Sequence, residues 1–149
     1  MEIEKEIKNA KFLNNYQKVS VNIVYTYNWL NSLLKTELDK YHITNQQFNI
    51  LRILKGQYPK PSTINILKER MLDKMSDASR IVDRLVQKEL VTRCVNEKDR
   101  RAVDIVITEK GLNLLKSVLI EDVISNALQN NVSEEEANTL SLLLDKLRG

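Results

Sequence analysis

Apolar residues recur at three- and four-residue spacing from the start of the chain, at Ile3, Ile7, Ala10, Leu13, Tyr16, Ile23, Tyr27, Leu30 and Leu34, with no Gly or Pro before residue 56. This predicts a long amphipathic helix over residues 1–40. At about 1.5 Å per residue such a helix outruns a single small globule, so part of it is expected to pack on a partner chain. The period breaks near Tyr41-His42-Ile43. Thr44 with Gln47 three residues later reads as a capping box for a second helix carrying Phe48, Leu51 and Leu54, with Gly56 as its carboxyl-terminal cap.

Tyr58-Pro59-Lys60-Pro61 cannot continue a helix. From Ser62 a third helix follows, carrying Ile64, Leu67 and Met71 and ending around Leu72 to Met75. The fourth, Ser76 to Lys88, places Ala78, Ile81, Val82, Leu85 and Val86 on one stripe, closed by Leu90. Its opposite face presents Asp77, Ser79, Arg80, Asp83, Arg84, Gln87 and Lys88, all able to hydrogen-bond. The period then changes to two at Val91, Arg93, Val95 and again at Val103, Ile105, Ile107, so two strands are expected around the charged tip Asn96–Arg101. A fifth helix from Thr108 carries Leu112, Leu115, Leu119, Val123, Ile124 and Leu128. Ser133 with Glu136 caps a last one bearing Leu140, Leu143, Leu144 and Leu147. The fifth helix is apolar over more of its surface than one neighbour can cover, a second indication of an oligomer.

Charge sharpens the picture. Lys and Arg number 23 and Asp and Glu 20, and residues 68–101 hold ten of the first and seven of the second, so the whole net charge of +3 lies in that stretch. A local basic surplus suits phosphate. All the aromatic residues precede residue 59, which disfavours stacking on single-stranded bases and favours a duplex read by a helix.

Other chemistry is scarce. Cys94 and His42 stand alone in their types and cannot complete a zinc site, so no metal and no cofactor are expected. Gly56, Gly111 and Gly149 form no phosphate-cradling cluster. No nucleophile elbow accompanies the single histidine, so an enzyme is disfavoured. The amino terminus lacks the order of an export signal, and the longest stretch free of charged residues, Val19–Leu34, has 16 residues, short of the roughly 20 needed to span a bilayer. The expected setting is cytoplasmic.

Two helices joined by a short turn, followed by a hairpin with a cationic tip, is the order of a winged helix-turn-helix. Residues 81–93 (IVDRLVQKELVTR) and 99–111 (DRRAVDIVITEKG) resemble the MarR family of bacterial transcriptional regulators. The first motif is similar to the end of that family's recognition helix and its first wing strand, and the second to its wing and the start of its dimer helix. The resemblance implies a mainly α fold with a small β-hairpin wing. It forms a single domain, 1–149, with the winged part over 44–108 and dimerisation helices over 1–40 and 109–149. It further implies a homodimer on palindromic double-stranded DNA, commonly repressing transcription and released by a small aromatic or lipophilic effector.

Carried over by position, Arg101 is the wing arginine of the minor groove. Asp99 orients it or forms a plain surface ion pair. Ser76, Asp77, Ser79, Arg80 and Arg84 lie on the reading face, Arg80 and Arg84 foremost, with Lys74, Lys98 and Arg100 as phosphate or solvent charges. Tyr16, Tyr27, Trp29 and Phe48 either line an effector pocket or pack in the core, and His42 either joins that pocket or faces solvent. Cys94 is expected to be small and buried, because the family's sensing thiols lie near the first helix. Glu89 stands where glycine is usual, so a cap without positive φ is expected. Leu72-Asp73-Lys74 and Lys68 also depart from the usual residues. The rival reading is a helical dimeric module that binds protein or ligand and has lost DNA binding.

Overall fold

A computed structural model of the chain describes residues 2–8, 11–96 and 103–149. The single first helix expected over 1–40 is divided into α1 (Ile3–Glu6) and α2 (Asn15–Asp39). Polar side chains, invisible to the apolar period, make the division. Asn14 Oδ1 accepts from the Gln17 amide at 3.0 Å, and the Gln17 side chain accepts from the Leu13 amide at 2.7 Å. Together they fix a fresh helix start. α1 folds back on α2 through the Tyr25 hydroxyl, which donates to Glu6 at 2.9 Å, and through the Lys18–Glu4 ion pair.

Thr44 and Gln47 form the expected capping box of α3 (Asn45–Gln57). The helix runs through Gly56 rather than ending on it, and stops because Tyr58, preceding Pro59, is driven to extended backbone at ψ 136°. α4 (Ile64–Arg70) starts later than Ser62 and ends before Leu72. Ser62 is otherwise engaged: its amide and carbonyl exchange bonds of 2.9 and 2.8 Å with Ile105 of strand β2 (Val103–Ile107). This one-residue bridge ties the linker to the wing.

α5 (Ala78–Gln87) buries Ala78, Val82 and Leu85 as the stripe requires. At its end the Glu89 amide donates to the Val86 carbonyl at 2.9 Å and the Leu90 amide to the Leu85 carbonyl at 3.0 Å. These are the paired bonds of a Schellman cap. Glu89 therefore takes φ +61°, against the expectation that its side chain would keep the cap out of positive φ. Only a left-handed residue can turn the chain so that Leu90 packs back on Leu85, both of them buried. The Glu89 carbonyl also accepts from the Thr108 hydroxyl at 2.8 Å and its carboxylate pairs with Lys110 at 2.7 Å.

β1 (Val91–Val95) and β2 are antiparallel, in register from Val91 opposite Ile107 to Val95 opposite Val103. Beyond Val91 the residues of β1 are exposed, so Cys94 is exposed rather than buried.

The expected fifth helix is also two: α6 (Glu109–Ser117) and α7 (Ile120–Gln129). Val118 leaves the helix at ψ 118°, and α2 seals the break. The Leu119 amide donates to the buried Glu37 carboxylate at 3.4 Å, and the Tyr41 hydroxyl donates to the Ser117 carbonyl. α8 (Glu134–Arg148) has the predicted capping box but buries no residue, and its Leu140, Leu142, Leu143 and Leu147 are exposed. The core lies under α5, where Ile50, Leu51, Leu67, Val82, Leu85 and Ile105 are fully buried. No helix among the described residues is long and apolar enough to cross a membrane.

Candidate nucleic-acid interface

The α4–α5 turn is fixed by short side chains. Asp73 accepts from the Met75 amide at 3.0 Å and from the Ser76 hydroxyl at 2.6 Å. These bonds, the Ser76 hydroxyl first, hold the Asp73 carboxyl below its ordinary value of 3.8. Upstream, the Leu72 amide donates to Asn49 of α3 at 3.0 Å. Asp77 then caps α5, accepting from the Arg80 amide at 3.2 Å. The amino end of α5 is thus set before any ligand arrives.

Along its outer face, Arg80 and Arg84 stand one turn apart and exposed, with no ion-pair partner among the described residues. Other charges nearby are committed: Asp83 pairs with Arg93 of β1, and Lys88 donates to the His42 carbonyl. A groove of about 320 Å³ runs beside the arginines, lined also by Thr44, Gln46, Gln47, Ser76, Asp77 and Ile81. Ser79 is half-buried, and Lys74 donates to the Glu69 carbonyl at the turn. Lys98, Asp99, Arg100 and Arg101 lie outside the described residues.

The structure therefore gathers Ser76, Asp77, Arg80 and Arg84 along one groove beside α5, the first three at its amino end and Arg84 in its last turn. The residues that hold them, Asp73 and Asn49, escaped sequence reasoning. Asp73 with Ser76 three residues on carries the spacing of a turn clamp, a local signal. Asn49 acts across 23 residues and leaves none.

The expected pocket residues do not converge. Phe48 lines a cleft of about 470 Å³ between α3 and the α6–α7 break, with Arg52, Lys55, Leu115, Val118 and Ile120 among its walls. An Arg52–Glu121 ion pair of 2.7 Å joins two of its lining residues. Tyr27 lines a different hollow, of about 270 Å³, with Asn31, Lys35 and Thr44. Tyr16 is 87% exposed, Trp29 half-buried. His42 is exposed in the left-handed turn after α2, at φ +55°.

A MarR family model matches residues 43–103. The HTH-type transcriptional regulator PecS of Dickeya dadantii is 30% identical over 132 residues, 84% of this chain and 79% of that protein. The HTH-type transcriptional regulator MhqR of Bacillus subtilis is 26% identical over 133 residues, 87% of this chain and 89% of its own length. Among solved structures, a mutant MarR from E. coli complexed with operator DNA superposes with a TM-score of 0.79 at 25% identity, over 93% of this chain and 99% of that one. The helix-turn-helix with its clamped turn, the two-stranded wing and these likenesses lead to one conclusion: the chain belongs to the MarR family of DNA-binding transcriptional regulators.

Proposed function

We propose that the chain is a repressor that binds palindromic double-stranded DNA as a homodimer. On this reading α5 occupies the major groove and the β1–β2 hairpin the adjacent minor groove. The observation that carries it is the pair Arg80 and Arg84, exposed and without an ion-pair partner among the described residues on a helix whose start is already capped. A guanidinium free of internal partners can give two bonds to guanine. The operator complex of the similar E. coli protein supports carrying duplex recognition to this chain.

Ser76 and Ser79 reach base edges or phosphates beside the arginines, and Asp77 holds the helix end that presents them. Lys74, Lys98 and Arg100 meet phosphates, and Arg101, oriented by Asp99, enters the minor groove. Residues 44–108 form the reading part, and 1–40 with 109–149 dimerise. An isolated helix of the 15 residues of α8 is marginal in water, so its exposed leucines, with Leu13, Tyr16 and Val24 of the first segment, are covered by a second copy. Two-fold related heads require two-fold related half-sites. A dimer seated on a promoter excludes polymerase, hence repression. The cleft at Phe48 has the size of a small-molecule site and takes a small aromatic or lipophilic effector that releases the DNA.

The test is anisotropy on a duplex enriched from a random pool. Arg80→Ala, Arg84→Ala and Arg101→Ala each weaken binding by roughly 1–3 kcal/mol. Wild-type affinity in all three would refute the reading.

A further inference from the structure

We infer that Met75 is a specificity residue that packs its thioether side chain on a thymine C5-methyl at the edge of the major groove. The inference rests on the placement of α5 in that groove proposed above.

Met75 is 94% exposed, the highest value among the large apolar side chains of the described residues. A bare methionine is ordinary on a mobile loop, but this one is held. Its amide donates to Asp73 Oδ1 at 3.0 Å while Asp73 Oδ2 accepts from the Ser76 hydroxyl at 2.6 Å, and the other end of the turn is fixed by the Leu72–Asn49 bond of 3.0 Å. The backbone is thus clamped on both sides of a side chain that touches little. Met75 precedes the Asp77 cap by two residues and adjoins Ser76, which lines the groove with Arg80 and Arg84. Leu72 is nearly as bare at 87%, but it sits five residues before the cap, on the α4 side.

The surroundings select the occupant. Asp73 and Asp77 hold the turn and the cap, and against these two carboxylates stand Lys74, Arg80 and Arg84, all exposed, so basic side chains outnumber acidic ones around Met75. That is a setting for a polyanion rather than for an apolar protein patch. In the major groove thymine is the base that offers a hydrocarbon group, and an unbranched, polarisable side chain fits it without a fixed rotamer. Arginine pairs and serine hydroxyls cannot sense that methyl, so Met75 adds a letter to the sequence the helix reads.

The experiment uses the full chain and the duplex that it enriches from a random pool, with each thymine replaced singly by deoxyuridine to delete one methyl. For the wild type, one thymine in each half-site loses about four-fold in affinity on methyl deletion, the effect of one buried methyl-sized group. In Met75→Ala that same position becomes indifferent to the methyl, while other sensitive thymines keep their effect and the urea midpoint is unchanged. An enriched duplex in which Met75→Ala responds to every deoxyuridine as wild type does overturns the contact alone. Failure to enrich any duplex overturns the groove placement, and the contact with it.

Discussion

Gly111 is the third residue of α6, buried against the junction of α5 with the β1–β2 hairpin. A Cβ there would stand 2.4 Å from the Leu90 carbonyl oxygen and 2.7 Å from Ile107 Cγ1. Helix preference favours Gly111→Ala by about 1 kcal/mol at most. Against it, overpacking costs roughly 1–3 kcal/mol, and this contact belongs at the upper end because a backbone oxygen cannot rotate away. That oxygen also accepts from the Thr108 amide at 3.1 Å, so displacing it loosens a bond worth about 1 kcal/mol. The net is a loss of about 2–3 kcal/mol, or a fall in Tm of roughly 5–10 °C. Urea unfolding followed by circular dichroism reads it, at one fixed protein concentration because the stability of the proposed dimer would depend on concentration. A Gly111→Ala chain with an equal or higher midpoint and unchanged m-value would refute the reasoning.

Three further outcomes follow from the caps and the α6–α7 break. Glu89→Gly removes a left-handed strain of about 1 kcal/mol and loses only a surface pair with Lys110 worth little, so its urea midpoint rises; a midpoint below wild type would contradict the cap assignment. Asp77→Ala costs about 1 kcal/mol while Asp77→Asn, which can still cap, stays near wild type; equal stability of all three chains would show that the cap carries nothing. The Glu37 carboxyl is held below its ordinary value of 4.5, chiefly by Lys40 and further by the Leu119 amide, with burial opposing. A depressed folded value means the stabilisation is complete above pH 4.5 and is lost as pH falls through the folded value. Glu37→Gln is therefore less stable than wild type at pH 7, and the gap closes as pH falls through the lowered Glu37 value. A gap independent of pH would show that ionisation at Glu37 plays no part.

Local signals in the sequence foretold local structure. Both capping boxes, at Thr44 and Ser133, depend on residues three apart, and the α5 stripe from Ala78 to Leu90 has one period and one neighbouring layer. The two helix breaks were hidden for the opposite reason. Apolar spacing continues through Leu13 and through Leu119, while the interruption is made by Asn14 with Gln17 in one case and by Glu37 and Tyr41, distant along the chain, in the other. Ser62 reads as a helix start in the sequence because a single bridging residue has no periodicity to detect. Glu89 shows that residue type predicts a left-handed cap less well than the need to return Leu90 to the core. Of the candidate site, Arg80 and Arg84 are legible as an amphipathic face, whereas aromatic type alone suggests Tyr16, Tyr27, Trp29 and Phe48 for a pocket, and position between two helices suggests His42; neither signal tells which residues share a wall, and Phe48 and Tyr27 line different hollows.

The break at Val118–Leu119 divides what would be a stiff strut between α3 and α2. α6 packs on α3 and α7 on α2, and the cleft at Phe48 is walled by residues from both sides of the discontinuity. A continuous helix over 109–129 would carry twist from one end to the other. Two shorter ones meeting at Val118, which is extended, and Leu119, at ψ 34°, are torsionally compliant, and Glu37 and Tyr41 set the stiffness of the joint. On the proposed reading, in which an effector enters the cleft of a dimer, such a molecule would push on this joint directly, and the work needed to misalign the two halves would be the work of bending a hinge rather than a rod.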